Sequence, residues 1–212
     1  MKHDNRIWDR YAAGYFKRPI ANPEVYEEKL RMTRQHLKPD MDVLEFGCGT
    51  GGTAIRHAPH VHHIQAVDIS EAMLDIGRRQ VEEAGIRNVW FERADIAEYD
   101  AAPDSYDAVL GLSILHLLED PAEVIARVHR WLKPGGVFVS STACLGDKMG
   151  WFRYVAPVGR ALGRIPYVNV FKADYLVDEL VAGGFQIETH WQPKGSMGVF
   201  VIARKAAAVD QA

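Results

Sequence analysis

A glycine-rich loop that connects a short apolar segment to a helix constrains the fold of this chain more than any other feature. Asp42–Phe46 has the length and composition of a buried strand, and Glu45-Phe46-Gly47-Cys48-Gly49-Thr50-Gly51 leads from it into a helix predicted over about residues 51–57. Glycine lets the backbone adopt a positive φ and approach a ligand closely, and a helix start presents free N–H groups to an anion. The loop therefore predicts a ligand-binding junction between a strand and a helix.

Helix-like and strand-like segments alternate along most of the chain. Apolar residues recur at helical spacing after Asn22-Pro23 (Tyr26, Leu30, Thr33 and Leu37), between Ser70 and Gly85, and over residues 120–132. Strands are predicted at 64–67, 89–91, 106–112 and 137–142, with a turn at 133–136 before the last of them. Short strands that alternate with helices pair in parallel through right-handed crossovers, so we expect an α/β sandwich.

The end of the chain departs from this alternation. A helix predicted at 174–182 is followed by two predicted strands, Phe185–Trp191 and 197–203, which only residues 192–196 separate. A parallel crossover needs about a dozen residues or more, so these strands are expected to form an antiparallel hairpin.

Two acidic residues are predicted at strand ends near the loop. Asp68 ends the second strand, 23 residues after Glu45, and Asp95 follows the third. Open α/β sheets bind ligands at the carboxyl ends of their strands, where an acidic side chain can accept hydrogen bonds from ribose hydroxyls. Asp95 is placed to accept a hydrogen bond from an adenine amino group.

The glycines alone leave two cofactors open, because Gly47, Gly49 and Gly52 also fit the dinucleotide fingerprint of nicotinamide enzymes. Glu45 before the loop and the terminal hairpin argue against an all-parallel dinucleotide sheet. The part of the chain that follows the first nucleotide-binding half is also too short for a second such half and a substrate domain. An NAD-dependent oxidoreductase is therefore the less favoured alternative, and a binding protein without turnover is a third.

Five motifs in order resemble those of class I S-adenosylmethionine-dependent methyltransferases. They are Val43-Leu44-Glu45-Phe46-Gly47-Cys48-Gly49-Thr50-Gly51, Val67-Asp68-Ile69-Ser70, Ala94-Asp95-Ile96, Tyr106-Asp107-Ala108-Val109 and Leu132-Lys133-Pro134-Gly135-Gly136. The resemblance spans about residues 43–204. It implies a Rossmann-like three-layer sandwich whose seven-stranded, mostly parallel sheet ends in an antiparallel hairpin. It also implies S-adenosylmethionine as the cofactor and methyl transfer by in-line displacement as the reaction.

The same resemblance implies a set of cofactor-binding residues. Gly47 and Gly49 would pass the methionine part of the cofactor, Asp68 would bind the ribose, and Asp95 with Ile96 would flank the adenine. The remaining positions expected at the cofactor are Glu45, Cys48, Gly51, Ile69, Met73 and Leu112.

The N-terminal segment Trp8-Asp9-Arg10-Tyr11-Ala12-Ala13-Gly14-Tyr15 is similar to that of small-molecule methyltransferases, including those of quinone biosynthesis. In those enzymes an aromatic residue covers the sulfonium, a role that Tyr15, or Tyr11, would take here. An aromatic face over a desolvated cation contributes about 1–2 kcal/mol. The alternative is that Trp8 and Tyr11 are packing residues.

A catalytic base is needed only when the acceptor is protonated at neutral pH. His116 follows the fourth predicted strand on the side of the expected reaction site, and it is the candidate base, with a packed or surface histidine as the alternative. The cluster His57, His60, His62 and His63 is interpreted as a solvated turn far from the cofactor. It lacks the spacing of a zinc site, so no metal is expected.

Residues 144–172 interrupt the regular order of elements with aromatic and basic residues. Trp151, Val155, Val158 and Leu162 follow a helical stripe in which Pro157 should kink or restart the helix. A lid over the cofactor is the favoured interpretation. A peripheral membrane contact through residues 147–171, which would admit a lipid-like acceptor, and a dimer contact are the alternatives.

Length and composition fit one domain, divided into a helical cap (1–38), a cofactor-binding core (39–143), the lid insertion (144–172) and a C-terminal helix and hairpin (173–204). With a net charge of −3 over 212 residues and no Pro-Pro-aromatic or Pro-Cys motif, a small-molecule acceptor is favoured over nucleic acid. Only two cysteines, no signal peptide and no apolar span predict a cytoplasmic protein. The acceptor, the methylated atom and the oligomeric state remain open at this point.

Overall fold

A computed structural model describes residues 5–207, which form a central sheet covered by helices on both faces. The strands are β1 (Asp42–Phe46), β2 (His63–Asp68), β3 (Val89–Arg93), β4 (Tyr106–Leu112), β5 (Leu132–Ala143), β6 (Phe185–Trp191) and β7 (Gly198–Lys205). The α-helices are α1 (Asn5–Phe16), α2 (Pro23–Arg34), α3 (Gly52–His57), α4 (Glu71–Glu83), α5 (Pro121–Trp131), α6 (Phe152–Ala161) and α7 (Ala173–Ala182). Residues 1–4 of the predicted cap and 208–212 of the predicted domain lie outside this description.

The strand order is β3-β2-β1-β4-β5-β7-β6. The first five strands pair in parallel, and β7 runs antiparallel to both β5 and β6. The order reverses at β1, and the β1–β4 pair therefore opens the crevice in which such sheets bind ligands. The predicted seven-stranded sheet with its antiparallel hairpin is confirmed.

Each face of the sheet packs into its own apolar core. On one face, Ala54 of α3 and Leu74 of α4 pack together with Met32 of α2. On the other face, Val128 of α5 and Leu180 of α7 pack against the sheet. The three layers expected from the alternating sequence are thus present.

Local sequence explains where three of the helices begin. The side chains of Asn22, Ser70 and Asp120 each accept a hydrogen bond from a backbone N–H in the first turn of the helix that follows. Such caps satisfy donors that have no partner within the helix. Gly85 follows α4 with a φ of 66°, as the predicted end of that helix requires.

The structure corrects several predicted boundaries. Helix α2 ends at Arg34 rather than reaching Leu37, because the chain turns there to enter β1. The predicted turn at 133–136 lies within β5, where the pairing with β4 shifts register between Tyr106 and Ala108. Pro157 lies inside α6 and does not divide it.

Helix α6 carries its apolar stripe on the outside of the protein. The exposed fractions of Trp151, Val155, Val158 and Leu162 lie between 49% and 63%, and Ala156 is the buried residue of the helix. None of the helices described between residues 5 and 207 has the length and hydropathy needed to cross a membrane.

Candidate functional site

The glycine-rich loop leaves β1 with three glycines at positive φ. Gly47, Gly49 and Gly51 have φ values of 64°, 55° and 76°. A Cβ at Gly47 would lie 2.8 Å from Ile114, and one at Gly51 would lie 2.5 Å from the ring of Phe91. Side chains are therefore excluded at Gly47 and Gly51 by both conformation and space, and disfavoured at Gly49 by conformation.

Asp68, at the end of β2, holds this loop in place. One carboxylate oxygen accepts a hydrogen bond from the Gly49 N–H at 2.8 Å, and the other accepts one from the Ser70 N–H at 2.9 Å. Burial raises the pKa of Asp68, while these hydrogen bonds lower it in part. The Cys48 N–H also donates to the Val67 carbonyl at 3.1 Å, so the loop is tied to β2 twice.

Glu45 is buried, with a 3% exposed side chain, and its Oε2 has no hydrogen-bond partner among the described residues. Burial, with a contribution from the negative charge of Asp68, raises the pKa of Glu45 to about 8. A buried carboxyl without a partner is costly. Its position at the entrance of the loop makes it complementary to a cation.

Helix α1 is anchored on the start of α4. The Asp9 carboxylate accepts hydrogen bonds from the Ser70 hydroxyl at 2.6 Å and from the Ala72 N–H at 3.3 Å. Ala12 packs beside Met73, whose side chain is buried between the two helices. This docking places the Tyr15 ring above the loop, 4.0 Å from the point where a Cβ at Gly49 would lie.

Tyr11 contacts the 144–172 insertion. Its hydroxyl donates to the Arg164 carbonyl, and the neighbouring Arg10 guanidinium donates to the Gly163 carbonyl at 2.8 Å. Trp8 packs edge-to-face against Tyr11 at a centroid distance of 6.3 Å. The N-terminal helix and the 144–172 insertion therefore meet over the carboxyl ends of the strands.

The other residues expected at the cofactor lie along the same edge. Asp95 accepts a hydrogen bond from the Ala97 N–H at 3.0 Å, and Ile96 is buried in the core. Ile69 accepts one from Arg93 through its carbonyl at 3.3 Å. Leu112 ends β4 and is half-buried.

His116 lies in a short 3-10 turn at Leu115–Leu117, directly after β4. Its Nδ1 is buried and has no hydrogen-bond partner within the described part of the chain, and burial lowers its pKa to about 4. The Asn169 N–H donates to the His116 carbonyl at 2.8 Å. The turn that carries the imidazole is thus joined to the insertion.

This region also contains Lys29, Ser141 and Thr53, which the sequence did not single out, together with Tyr26 of the predicted helix. Lys29 of α2 donates from its ammonium to the Ser141 hydroxyl on β5 at 2.7 Å. The hydroxyl of Tyr26, one turn earlier, lies 3.3 Å from that of Thr53 at the start of α3. Helical spacing indicated that Tyr26 belongs to one face of α2, but nothing local indicated which strands that face meets.

The histidine cluster is only partly the solvated turn that was predicted. His60 and His62 are exposed and His63 packs against Trp90, but His57 is fully buried. Neither of its ring nitrogens has a hydrogen-bond partner within the described residues, and burial with nearby Arg34 lowers its pKa to about 4. Among residues 5–207 no group of three or more His, Cys, Asp or Glu side chains is arranged to hold a metal ion.

Comparison with known proteins decides between the two nucleotide-binding alternatives. Residues 43–136 match the family described as a methyltransferase domain. This segment of the chain is similar to a methyltransferase domain. The predicted resemblance to class I S-adenosylmethionine-dependent methyltransferases is confirmed, and the oxidoreductase alternative is not favoured.

A curated relative supports the same assignment for the methyltransferase domain. The demethylmenaquinone methyltransferase of Listeria welshimeri is 31% identical over 140 residues, which cover 61% of this chain and 59% of that protein. The chain thus spans about three fifths of the length of this relative. S-adenosylmethionine as the cofactor agrees with the family and with the predicted motifs.

Solved structures show that the fold extends beyond the matched segment. An S-adenosylmethionine-dependent methyltransferase from Mesorhizobium loti aligns with a TM-score of 0.67 and 21% identity, covering 84% of this chain and 96% of that one. The geranyl diphosphate C-methyltransferase of Streptomyces coelicolor aligns with a TM-score of 0.72 and 14% identity, covering 86% and 80%. At these identities the comparison concerns the fold alone.

Proposed function

We propose that this protein transfers a methyl group from S-adenosylmethionine to a small-molecule acceptor. The observation that carries the proposal is the unpaired carboxyl of Glu45 at the entrance of the glycine-rich loop. S-adenosylmethionine has a sulfonium and an ammonium group, and a buried acidic oxygen gains a partner when such a cation binds. When bound, the cofactor supplies a methyl group on a good leaving group.

We assign the parts of the donor to the residues around the loop. Gly47 and Gly49 leave room for its methionine part, and Asp68 accepts hydrogen bonds from the ribose while it continues to hold the loop. Asp95 and Ile96 flank the adenine. The Tyr15 ring, which already lies above Gly49, covers the sulfonium.

We propose that His116 accepts the proton of the acceptor. Its imidazole is neutral at physiological pH because burial lowers its pKa to about 4, so its nitrogen lone pair is free to receive a hydrogen bond. A base with this pKa is weak in water. It therefore contributes mainly by orienting a hydroxyl and sharing its proton as methyl transfer proceeds.

The experiment that tests the proposed function measures binding first and transfer second. Titration calorimetry with S-adenosylmethionine and with NADH should show binding of the methyl donor alone. Transfer of a tritiated methyl group is then measured over a panel of phenols, quinols and fatty acids. His116→Ala should reduce turnover about 100-fold and leave donor affinity unchanged. Binding of NADH alone, or equal turnover in the variant, would contradict these assignments.

The insertion favours an acceptor of lipid-like character. The apolar stripe of α6 faces solvent. A lid would instead direct this stripe toward the cofactor. Residues 144–172 contain five basic residues and one acidic residue. An exposed apolar stripe with a basic excess is typical of helices that lie on anionic membrane surfaces.

We therefore propose that α6 rests on a membrane while residues 163–171 and α1 roof the cleft. Co-sedimentation with phosphatidylglycerol vesicles should be lost when Trp151 and Arg153 are both replaced by Ala. Replacement of Trp90 and Arg87, an exposed pair elsewhere on the surface, is the matched control and should have no effect. No sedimentation of the unaltered protein would contradict the membrane contact, and a dimer disrupted by the double variant would identify the stripe as a dimer contact.

A cytoplasmic location is our further proposal. Cys48 and Cys144 are both free and buried. Burial raises the pKa of each thiol, so both remain protonated and unreactive. Free buried cysteines are typical of proteins from reducing compartments.

A further inference from the structure

Helix α6 and the segment that follows it enclose a pocket of about 300 Å³. The helix contributes one wall, and the chain returns past it through residues 167–170, which form the opposite wall. A water molecule takes up about 30 Å³ in the liquid, so the pocket has room for a group of roughly ten non-hydrogen atoms. It is large enough for the polar end of a small molecule.

The pocket lies on the inward face of α6. The four helix residues that line it follow one another at intervals of three, one and three positions, which places them on one face of the helix. At 3.6 residues per turn, this face lies about 180° around the helix from the exposed apolar stripe. It contains Ala156, the buried residue of α6. An occupant of the pocket is therefore held against the protein, and the stripe faces the other way.

Two guanidinium groups line this pocket. Arg160 lies over the Tyr167 ring, 4.8 Å from its centroid, and donates to the Glu119 carboxylate at 3.2 Å. Arg153 donates from its Nε to the Gly150 carbonyl at 3.0 Å, and among residues 5–207 no carboxylate forms an ion pair with it. A guanidinium presents its N–H donors in a planar fork that matches a carboxylate or a phosphate. The pocket thus has one cation that Glu119 neutralises and one that no carboxylate neutralises.

The wall opposite α6 is joined to the turn that carries His116. Asn169, which lines the pocket, donates from its N–H to the His116 carbonyl at 2.8 Å and from its side-chain amide to the Leu118 carbonyl at 3.3 Å. Val168 and Val170, on either side of it, add apolar surface to the same wall. One short hydrogen-bonded segment therefore connects the pocket to the proposed base.

We propose that this pocket binds an anionic group, a carboxylate or a phosphate, at the end of the acceptor remote from the methylated atom. The inference rests on the proposed function, in which the acceptor reaches His116. Arg153 makes charge-assisted hydrogen bonds to the anion, and Arg160 and Asn169 form the walls beside it. The valines contact the adjoining carbon atoms, in keeping with an acceptor of lipid-like character. The acceptor is thus an amphiphile with one acidic end.

The test compares three probes that share an eight-carbon chain and differ at one end: octanoate, octyl phosphate and 1-octanol. Titration calorimetry is carried out on the protein saturated with S-adenosylhomocysteine, so that the donor site is occupied. The unaltered protein should bind the better of the two anions about 10- to 100-fold more tightly than the alcohol. The anion that binds more tightly identifies the acidic group.

Three variants show whether the anion binds at Arg153. In Arg153→Gln the preference for the anion should fall below about threefold, while the affinity for 1-octanol is retained. Arg153→Lys should keep part of the preference, because it retains the charge but loses the planar fork. Lys172→Gln removes a positive charge from an exposed position of the same insertion, outside the pocket, and is the matched control. Circular dichroism confirms that each variant is folded.

The inference is overturned if the unaltered protein shows no preference for an anion, or if Arg153→Gln keeps the preference or loses affinity for all three probes equally. Tighter binding of dihexanoylphosphatidylglycerol than of either anionic probe would also overturn it, because the pocket would then be a site for a membrane lipid. If S-adenosylhomocysteine itself does not bind, the proposed function is contradicted instead. The two failures are therefore distinguishable.

Discussion

At the scale of single residues, we expect Glu45 to determine how donor binding depends on pH. Its pKa of about 8 means that its carboxyl is protonated at neutral pH in the free protein. Binding of a cationic donor favours the ionised form and lowers this pKa. The proton must then leave the protein as the donor binds.

We expect donor affinity to rise between pH 6 and pH 8 and to level off above the pKa of about 8. At pH 7 the apparent binding enthalpy should differ between phosphate and Tris buffers, because each buffer takes up the released proton with a different ionisation enthalpy. Titration calorimetry in both buffers measures the number of protons released. The expected value approaches one per donor bound.

Glu45→Gln is the control for this prediction. The variant should release no proton and bind the donor about 10-fold or more weakly. It should also be the more stable protein without ligand. Between pH 4.5, the ordinary pKa of a glutamate, and about pH 8, Glu45 is protonated in the folded protein and ionised in the unfolded chain. The free energy of unfolding therefore falls as pH rises through this window.

As pH rises to 8, the free energy of unfolding of Glu45→Gln should thus increasingly exceed that of the unaltered protein, by on the order of 4 kcal/mol. Thermal unfolding from pH 5 to pH 9 measures it. A constant difference, or proton release by the variant, would show that Glu45 is not the group that titrates.

Gly51 tests the geometry of the loop. Gly51→Ala would force a Cβ into the left-handed region and to within 2.5 Å of the Phe91 ring. We expect a loss of about 2–4 kcal/mol in the free energy of unfolding, from backbone strain and overpacking together. Urea unfolding measures it.

Gly85→Ala is the matched variant, because Gly85 has a φ of 66° and no atom within 4 Å of its Cβ position. Its free energy of unfolding should fall by about 1 kcal/mol, from backbone strain alone. Equal losses in the two variants would mean that the contact with Phe91 does not restrict the loop.

At the scale of elements, we expect the candidate site to depend on the docking of α1 on α4. Asp9 accepts two hydrogen bonds at the start of α4, and the same helix carries Tyr15. Loss of this contact should therefore weaken both helix attachment and donor binding.

Asp9→Ala should reduce the free energy of unfolding by about 1–2 kcal/mol, because it leaves a buried hydroxyl and an N–H without their acceptor. Donor affinity should fall as well, since Tyr15 is released from its place above Gly49. Asp75→Ala, an exposed position on α4, should change neither quantity. Chemical unfolding and donor titration give the two numbers. Unchanged donor affinity in Asp9→Ala would contradict a role for α1 in the site.

At the scale of the whole molecule, local signals explain why the fold was predictable. Caps such as Ser70 and Asp120, and the short connection between β6 and β7, each specify structure within a few residues. The hairpin alone excluded an all-parallel sheet. The loop glycines and Asp68 were also predicted to lie close together, because they lie at the carboxyl ends of two neighbouring strands.

Contacts between distant parts of the chain were not predictable from the sequence. Lys29 meets Ser141 across 112 residues, and Tyr11 meets Arg164 across 153. The sequence predicted the stripe of α6 but not its outward orientation, because periodicity identifies a face without saying what covers it. The burial of His57 was not predictable either. It depends on how other parts of the chain pack around the imidazole, and the polar sequence on either side does not indicate this.

We propose that the methyl donor binds at the carboxyl end of β1. A crystal structure of the protein with S-adenosylhomocysteine, the demethylated donor, tests it most directly. We predict that the amino acid part of the ligand lies beside Glu45, that its ribose contacts Asp68, and that its sulfur faces Tyr15. A ligand bound elsewhere, or bound with its adenine toward Glu45, would contradict the account.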